Sequence, residues 1–80
     1  MYLTLGKEHA VPKGTIIGIF DLDTSTQSYL TREFLSKAEK KGRVINTAED
    51  IPNSFLLCCD GYESTVYLSQ TSSKTMYRKI

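Results

Sequence analysis

Apolar residues follow two rhythms along this chain. From Ile16 to Phe20 they are continuous apart from Gly18, and a β-branched and aromatic run this short reads as a buried strand. Further on, Leu30, Phe34, Leu35 and Ala38, with Thr31 between them, recur at steps of three and four, which lines them along one face of a helix and leaves the other face charged. Asp21 and Asp23 close the strand, and Thr24 with Gln27 fits the T-x-x-Q capping box, so the spacing predicts a helix from about Ser25 to Lys41. Glu33 and Lys37 form an i, i+4 pair within it. Lys40 and Lys41 face the negative end of its dipole, and Gly42 is the expected left-handed C-cap.

The flanking segments are shorter. Tyr2, Leu3 and Leu5 suggest a first strand that turns at Gly6-Lys7 into a second, His9 to Val11; Pro12-Lys13-Gly14 then reverses the chain into Thr15 to Asp21, giving a three-stranded meander. After the helix, Arg43-Val44-Ile45 starts a short strand, and Asn46 to Pro52 is a polar, acidic loop. Ser54 to Cys59 and Thr65 to Leu68, separated by Asp60 to Ser64, read as a hairpin. Ser72 or Ser73 caps a last helix, Lys74 to Lys79. The expectation is a small α+β protein, residues 1–80 as a single domain, with an antiparallel β meander, one long amphipathic helix, a β-hairpin and a short C-terminal helix.

Composition narrows the function classes. Hydrophobic residues make up 40% of the chain, enough for a packed core, and disorder is not expected. The net charge of +1 provides no whole-protein field for nucleic acid or membrane, but the charges are unevenly placed. Arg32, Lys37, Lys40, Lys41 and Arg43 outnumber Glu33 and Glu39; Lys74, Arg78 and Lys79 add a second basic group; acid gathers in Glu49, Asp50, Asp60 and Glu63. Cys58 and Cys59 are neighbours, which makes a bond between them strained, so both read as reduced strand residues. With no Cys-x-x-Cys spacing and His9 alone, there is no ligand set for a metal and no signature of a cofactor. The start of the chain lacks the charged and apolar regions of a signal peptide, and no run approaches the length of a membrane span, so a cytoplasmic protein is expected.

One motif invites an enzymatic reading. A buried strand followed by Asp21-Leu22-Asp23-Thr24 resembles the opening motif of the haloacid-dehalogenase phosphatases, in which two aspartates converge on a phosphate at a helix N-terminus. That family also needs a lysine, a hydroxyl residue and further acids from later strands of a much larger domain. Eighty residues do not supply them. The aspartates therefore read as strand end and helix first turn, and no catalytic residue or small-molecule substrate is expected.

A second resemblance covers essentially the whole chain. The opening Tyr-Leu-Thr-Leu-Gly, the run Ile-Ile-Gly-Ile-Phe-Asp-Leu-Asp, the helix Thr-Arg-Glu-Phe-Leu-Ser-Lys-Ala-Glu-Lys-Lys-Gly, then Pro-Asn-Ser-Phe-Leu-Leu and Val-Tyr-Leu-Ser-Gln-Thr-Ser-Ser, resemble the extracellular-matrix regulators of Gram-positive bacteria, most nearly their RemB branch. The resemblance implies a small α+β transcriptional regulator of biofilm-matrix genes that binds double-stranded DNA as a ring-shaped homo-oligomer. In the RemA branch the DNA-contacting residues are arginines, one in the turn before the buried strand and a pair before the hairpin. The matching positions here hold Thr15, with Lys13 two residues earlier, and Ile51-Pro52.

Charge and loop position make Lys13, Lys40, Lys41 and Arg43 the nucleic-acid-binding candidates, with a ring gathering one modest patch per subunit into a track. The alternative is an oligomeric interaction or scaffold module of the same fold that does not bind DNA. Assembly is expected in either case. A chain of this size buries only ~60% of its unfolded surface. Tyr2, Leu3, Tyr62, Tyr67, Met76, Tyr77 and Ile80 offer apolar groups that a neighbouring subunit would cover.

Overall fold

The structure is a computed structural model and describes residues 1–5, 9–25 and 27–79. Among the described residues, six strands and three α-helices follow in the order β1 (Tyr2–Leu5), β2 (His9–Pro12), β3 (Ile16–Asp21), α1 (Leu22–Ser25), α2 (Tyr29–Lys40), β4 (Val44–Asn46), β5 (Ser54–Asp60), β6 (Glu63–Ser69) and α3 (Ser73–Lys79). The class is α+β, as the sequence predicts. β1 and β2 form an antiparallel two-stranded sheet, with Leu3 opposite Val11; the expected turn at Gly6-Lys7 lies outside the described residues. The other four strands make one sheet in the order β3-β5-β6-β4, antiparallel except for β4, which runs parallel to β6.

The third strand does not continue the meander. Lys13–Thr15 wind into a 3-10 turn, closed by the Thr15 hydroxyl donating to the Pro12 carbonyl at 2.7 Å, and β3 leaves to pair with β5. Two reasons stand in the sequence. β2 is four residues long and ends in a proline with no N–H to give, whereas β5 offers Phe55-Leu56-Leu57-Cys58 as an apolar partner along the whole of β3. A bulge at Ile17 re-aims the start of β3, leaving Ile17 exposed. The hairpin β5-β6 is as expected, tightened to a Gly61-Tyr62 turn in which Gly61 takes the positive φ of 74° that its first position requires.

Side chains alternate across the sheet and give it two unequal faces. Ile19, Leu56 and Cys58 point to one, where Leu3, Leu5 and Val11 of the β1-β2 hairpin and Met76 of α3 close over them, with Ile16 and Tyr67 at the margin. This is the core. Ser72 caps α3, its Oγ accepting the Thr75 amide at 3.2 Å, and the Tyr77 hydroxyl donates to the Ile19 carbonyl at 3.1 Å, covering the free edge of β3. The buried hydroxyl of Ser54 donates to the Thr71 carbonyl at 2.6 Å, and no buried side-chain polar atom among the described residues lacks a partner. Cys58 and Cys59 are both free, as expected; burial pushes the Cys58 thiol pKa up, partly offset by a hydrogen bond with Thr15.

The other face carries Phe20, Phe55, Leu57 and Val66. Phe20 stacks on Phe55 with ring centroids 5.0 Å apart, and its ring edge lies directly over Gly18, where a β-carbon would come within 2.8 Å of it. Here α2 lies, and it covers the sheet incompletely. The periodic apolar stripe of α2 lies along one face of the helix, yet none of its residues is fully buried: Leu30 is 75% exposed and Phe34 39%. The core formed on the opposite face, where a hairpin and α3 together enclose the sheet, and α2 is tied down chiefly at its C-terminal end.

The start of the helix also differs from expectation. Asp21, not Thr24, acts as the cap: its Oδ1 accepts the amides of Asp23 at 2.8 Å and Thr24 at 3.4 Å, starting α1 one turn early. Stretches rich in hydroxyl and amide side chains are poor helix formers, and α2 begins at Tyr29 with Ser28 as a cap that makes no side-chain bond. Accordingly Asp21→Ala should destabilise by ~1 kcal/mol in denaturant unfolding while Thr24→Ala stays within ~0.5 kcal/mol. Equal losses in both variants would restore the threonine as cap.

Candidate nucleic-acid interface

The basic segment 37–43 is built around the end of α2. Gly42, at φ 70°, donates its amide to the Glu39 carbonyl at 3.0 Å, and Arg43 donates to the Ala38 carbonyl at 2.9 Å, the paired bonds of a Schellman ending. The glycine is thus the left-handed stop that the sequence predicts. The Glu33–Lys37 pair also forms, at 3.1 Å.

Arg43 then staples the helix to the sheet. Its Nε donates to the Ser64 carbonyl at 3.2 Å, its Nη2 to Thr65 Oγ1 at 2.8 Å, and its Nη1 pairs with Glu63 Oε2 at 3.1 Å, while its own carbonyl accepts the Val66 amide. Three of the five N–H donors of this guanidinium are thus engaged within the chain. Of the four candidates, Arg43 is the one whose side chain is tied to β6.

Lys41 shares with Arg43 an open cleft of about 620 Å3 between α2 and the β5-β6 hairpin. Val66 and Ala38 form its apolar floor, Phe34 and the fully exposed Tyr62 its walls, and Lys37, Lys41 and Arg43 against the single acid Glu63 its charge. Lys37 was not among the candidates, although its four-residue spacing from Lys41 puts both on one helix face and was legible in the sequence. Lys40 is exposed and outside the cleft. Lys13 lies apart from all of these: in the 3-10 turn, its amine donates to the Lys79 carbonyl at the end of α3 at 2.7 Å. The four candidates thus fall into two neighbourhoods, with Lys13 beside the basic end of α3 and the others at the end of α2.

A second, smaller hollow of about 230 Å3 continues the uncovered face, lined by Phe20, Leu30, Thr31, Phe34, Phe55 and Leu57. Of the residues expected to seek a neighbour, Leu3 and Met76 are buried in the core and Tyr67 is half-buried, whereas Tyr2, Tyr62 and Tyr77 are exposed; Ile80 lies outside the described residues. Asp21 has its Oδ1 committed to backbone amides, and among the described residues no three His, Cys, Asp or Glu side chains gather to hold a metal. No helix of the described residues is long and apolar enough to cross a membrane. Neither the models of known protein families nor the curated proteins provide a match to this chain.

Proposed function

We propose that this protein is a cytoplasmic, non-enzymatic transcriptional regulator of biofilm-matrix genes, of the extracellular-matrix regulator type, that binds double-stranded DNA as a homo-oligomer. The observation that carries the reading is the half-covered α2: an amphipathic helix with no fully buried residue, flanked by two apolar hollows, is a surface that assembly would close. At ~25 cal/mol per Å2, even about 600 Å2 of apolar surface removed from water per subunit corresponds to roughly 15 kcal/mol before association costs, comparable to a small domain's stability. Repetition of Lys13 and Lys40 around an assembly supplies the phosphate contacts at high effective concentration, with Lys41 at the cleft rim.

The second reading is an oligomeric scaffold that does not bind DNA. The internal engagement of Arg43, and Thr15 and Ile51-Pro52 at the positions of the family's arginines, favour it. A mobility shift on duplex DNA separates the two. The regulator should retard duplex at micromolar protein in low salt and lose binding steeply between 50 and 200 mM salt, roughly tenfold or more if several lysines per assembly meet phosphates. No retardation by the assembled protein in low salt selects the scaffold.

A further inference from the structure

The uncovered cleft and an uncovered loop sit at opposite ends of one strand. The cleft lies at the hairpin end of β6, beside Tyr62, Ser64 and Val66. The acidic loop lies at the other end: Gln70, directly after β6, accepts the amides of Glu49 and Asp50 on its Oε1 at 2.9 and 3.3 Å, and Thr47 donates both its amide and its hydroxyl to the Leu68 carbonyl. These bonds hold the loop in a fixed shape. They present Asp50 exposed and Ile51 77% exposed, an acid followed by a large apolar side chain with nothing of its own chain to cover it.

Each end offers what the other lacks. The cleft has an apolar floor, with Lys37 and Lys41 on its helix wall; the loop has an apolar tip with a carboxylate beside it. The loop is bonded to Leu68 and Gln70, past the cleft's residues on β6, and none of residues 47–52 lines the cleft of its own chain. We propose that the cleft between α2 and the β5-β6 hairpin receives the acidic loop 47–52 of a second copy of this chain, Ile51 packing against Phe34, Ala38 and Tyr62 and Asp50 facing Lys37 and Lys41. The contact joins two different patches and is therefore head-to-tail, the kind that builds rings or filaments and never a closed twofold dimer. It rests on the homo-oligomeric reading above and names the surface through which that assembly forms. It also assigns Lys41 to the subunit contact and leaves Lys13 and Lys40 to face DNA.

Mixing two disabled variants tests this geometry. Lys37→Glu combined with Lys41→Glu spoils the cleft and spares the loop; Ile51→Asp spoils the loop and spares the cleft, at a residue too exposed to upset the fold. Analytical ultracentrifugation of the wild type should give an assembly well above the chain mass of 9.0 kDa, each variant alone should sediment as a monomer that keeps the circular dichroism of the folded chain, and an equimolar mixture should stop at twice the chain mass. Only a head-to-tail contact gives that dimer from two monomers, because one intact cleft then meets one intact loop. A wild type that is itself monomeric overturns the assembly reading and this contact with it. Variants that assemble like the wild type, or a mixture that remains monomeric, overturn this contact alone and leave the cleft to another occupant.

Discussion

Leu56→Ala should lower the melting temperature by more than ~12 °C, and Leu30→Ala should scarcely move it. Both are leucines in regular structure, and only their surroundings differ. Leu56 is completely buried at the centre of the sheet, between β3 and β6 and beneath the β1-β2 hairpin, so its truncation leaves a cavity lined from three sides. Losing the buried carbons and opening that cavity costs ~3–4 kcal/mol, and at ~4–8 °C per kcal/mol for a domain of this size the shift follows. Leu30 is 75% exposed at the edge of the smaller hollow, and a surface change of that kind stays within ~0.5 kcal/mol. Thermal unfolding of both variants, under conditions that keep the protein monomeric, measures the contrast. Similar losses at the two positions would place α2 in the core.

Met76→Ala should cost ~3 kcal/mol and should strip protection from α3 more than from β5. Seven residues are too few for a helix to persist in water by propensity, so α3 depends on the one side chain it buries, Met76, 1% exposed. The Tyr77 hydroxyl bond to the Ile19 carbonyl depends on the same docking. Hydrogen exchange of the α3 amides reads the loss, and Met76→Leu, which keeps the volume, should cost less than ~1.5 kcal/mol. Unchanged α3 protection in the alanine variant would mean that another contact holds the helix.

Much of this architecture was legible where the signal is local. The β5-β6 hairpin, the C-terminal helix, the Glu33–Lys37 pair and the glycine ending of α2 each depend on residues within a few positions of one another, and each forms as read. What the sequence left open is competition between partners far apart in the chain. β3 follows β2 by a short turn, but Phe55-Leu56-Leu57-Cys58, more than thirty residues on, is the stronger partner. The capping box at Thr24 and Gln27 is a valid local pattern that an earlier cap, Asp21, pre-empts. Charge and loop position likewise grouped Arg43 with Lys40 and Lys41; only the fold brings Glu63, Ser64 and Thr65 against its guanidinium and ties it to the sheet.

Gly18 carries an evolutionary constraint that its own position does not suggest. Its missing side chain is the hollow over which the edge of the Phe20 ring lies, and only from there does Phe20 stack on Phe55. A methyl group at position 18 would push the ring aside and disturb the stack, a strain that a smaller residue at 20 would relieve. Positions 18, 20 and 55 are therefore coupled through one ring, and in diverging copies of this chain they should tend to vary together.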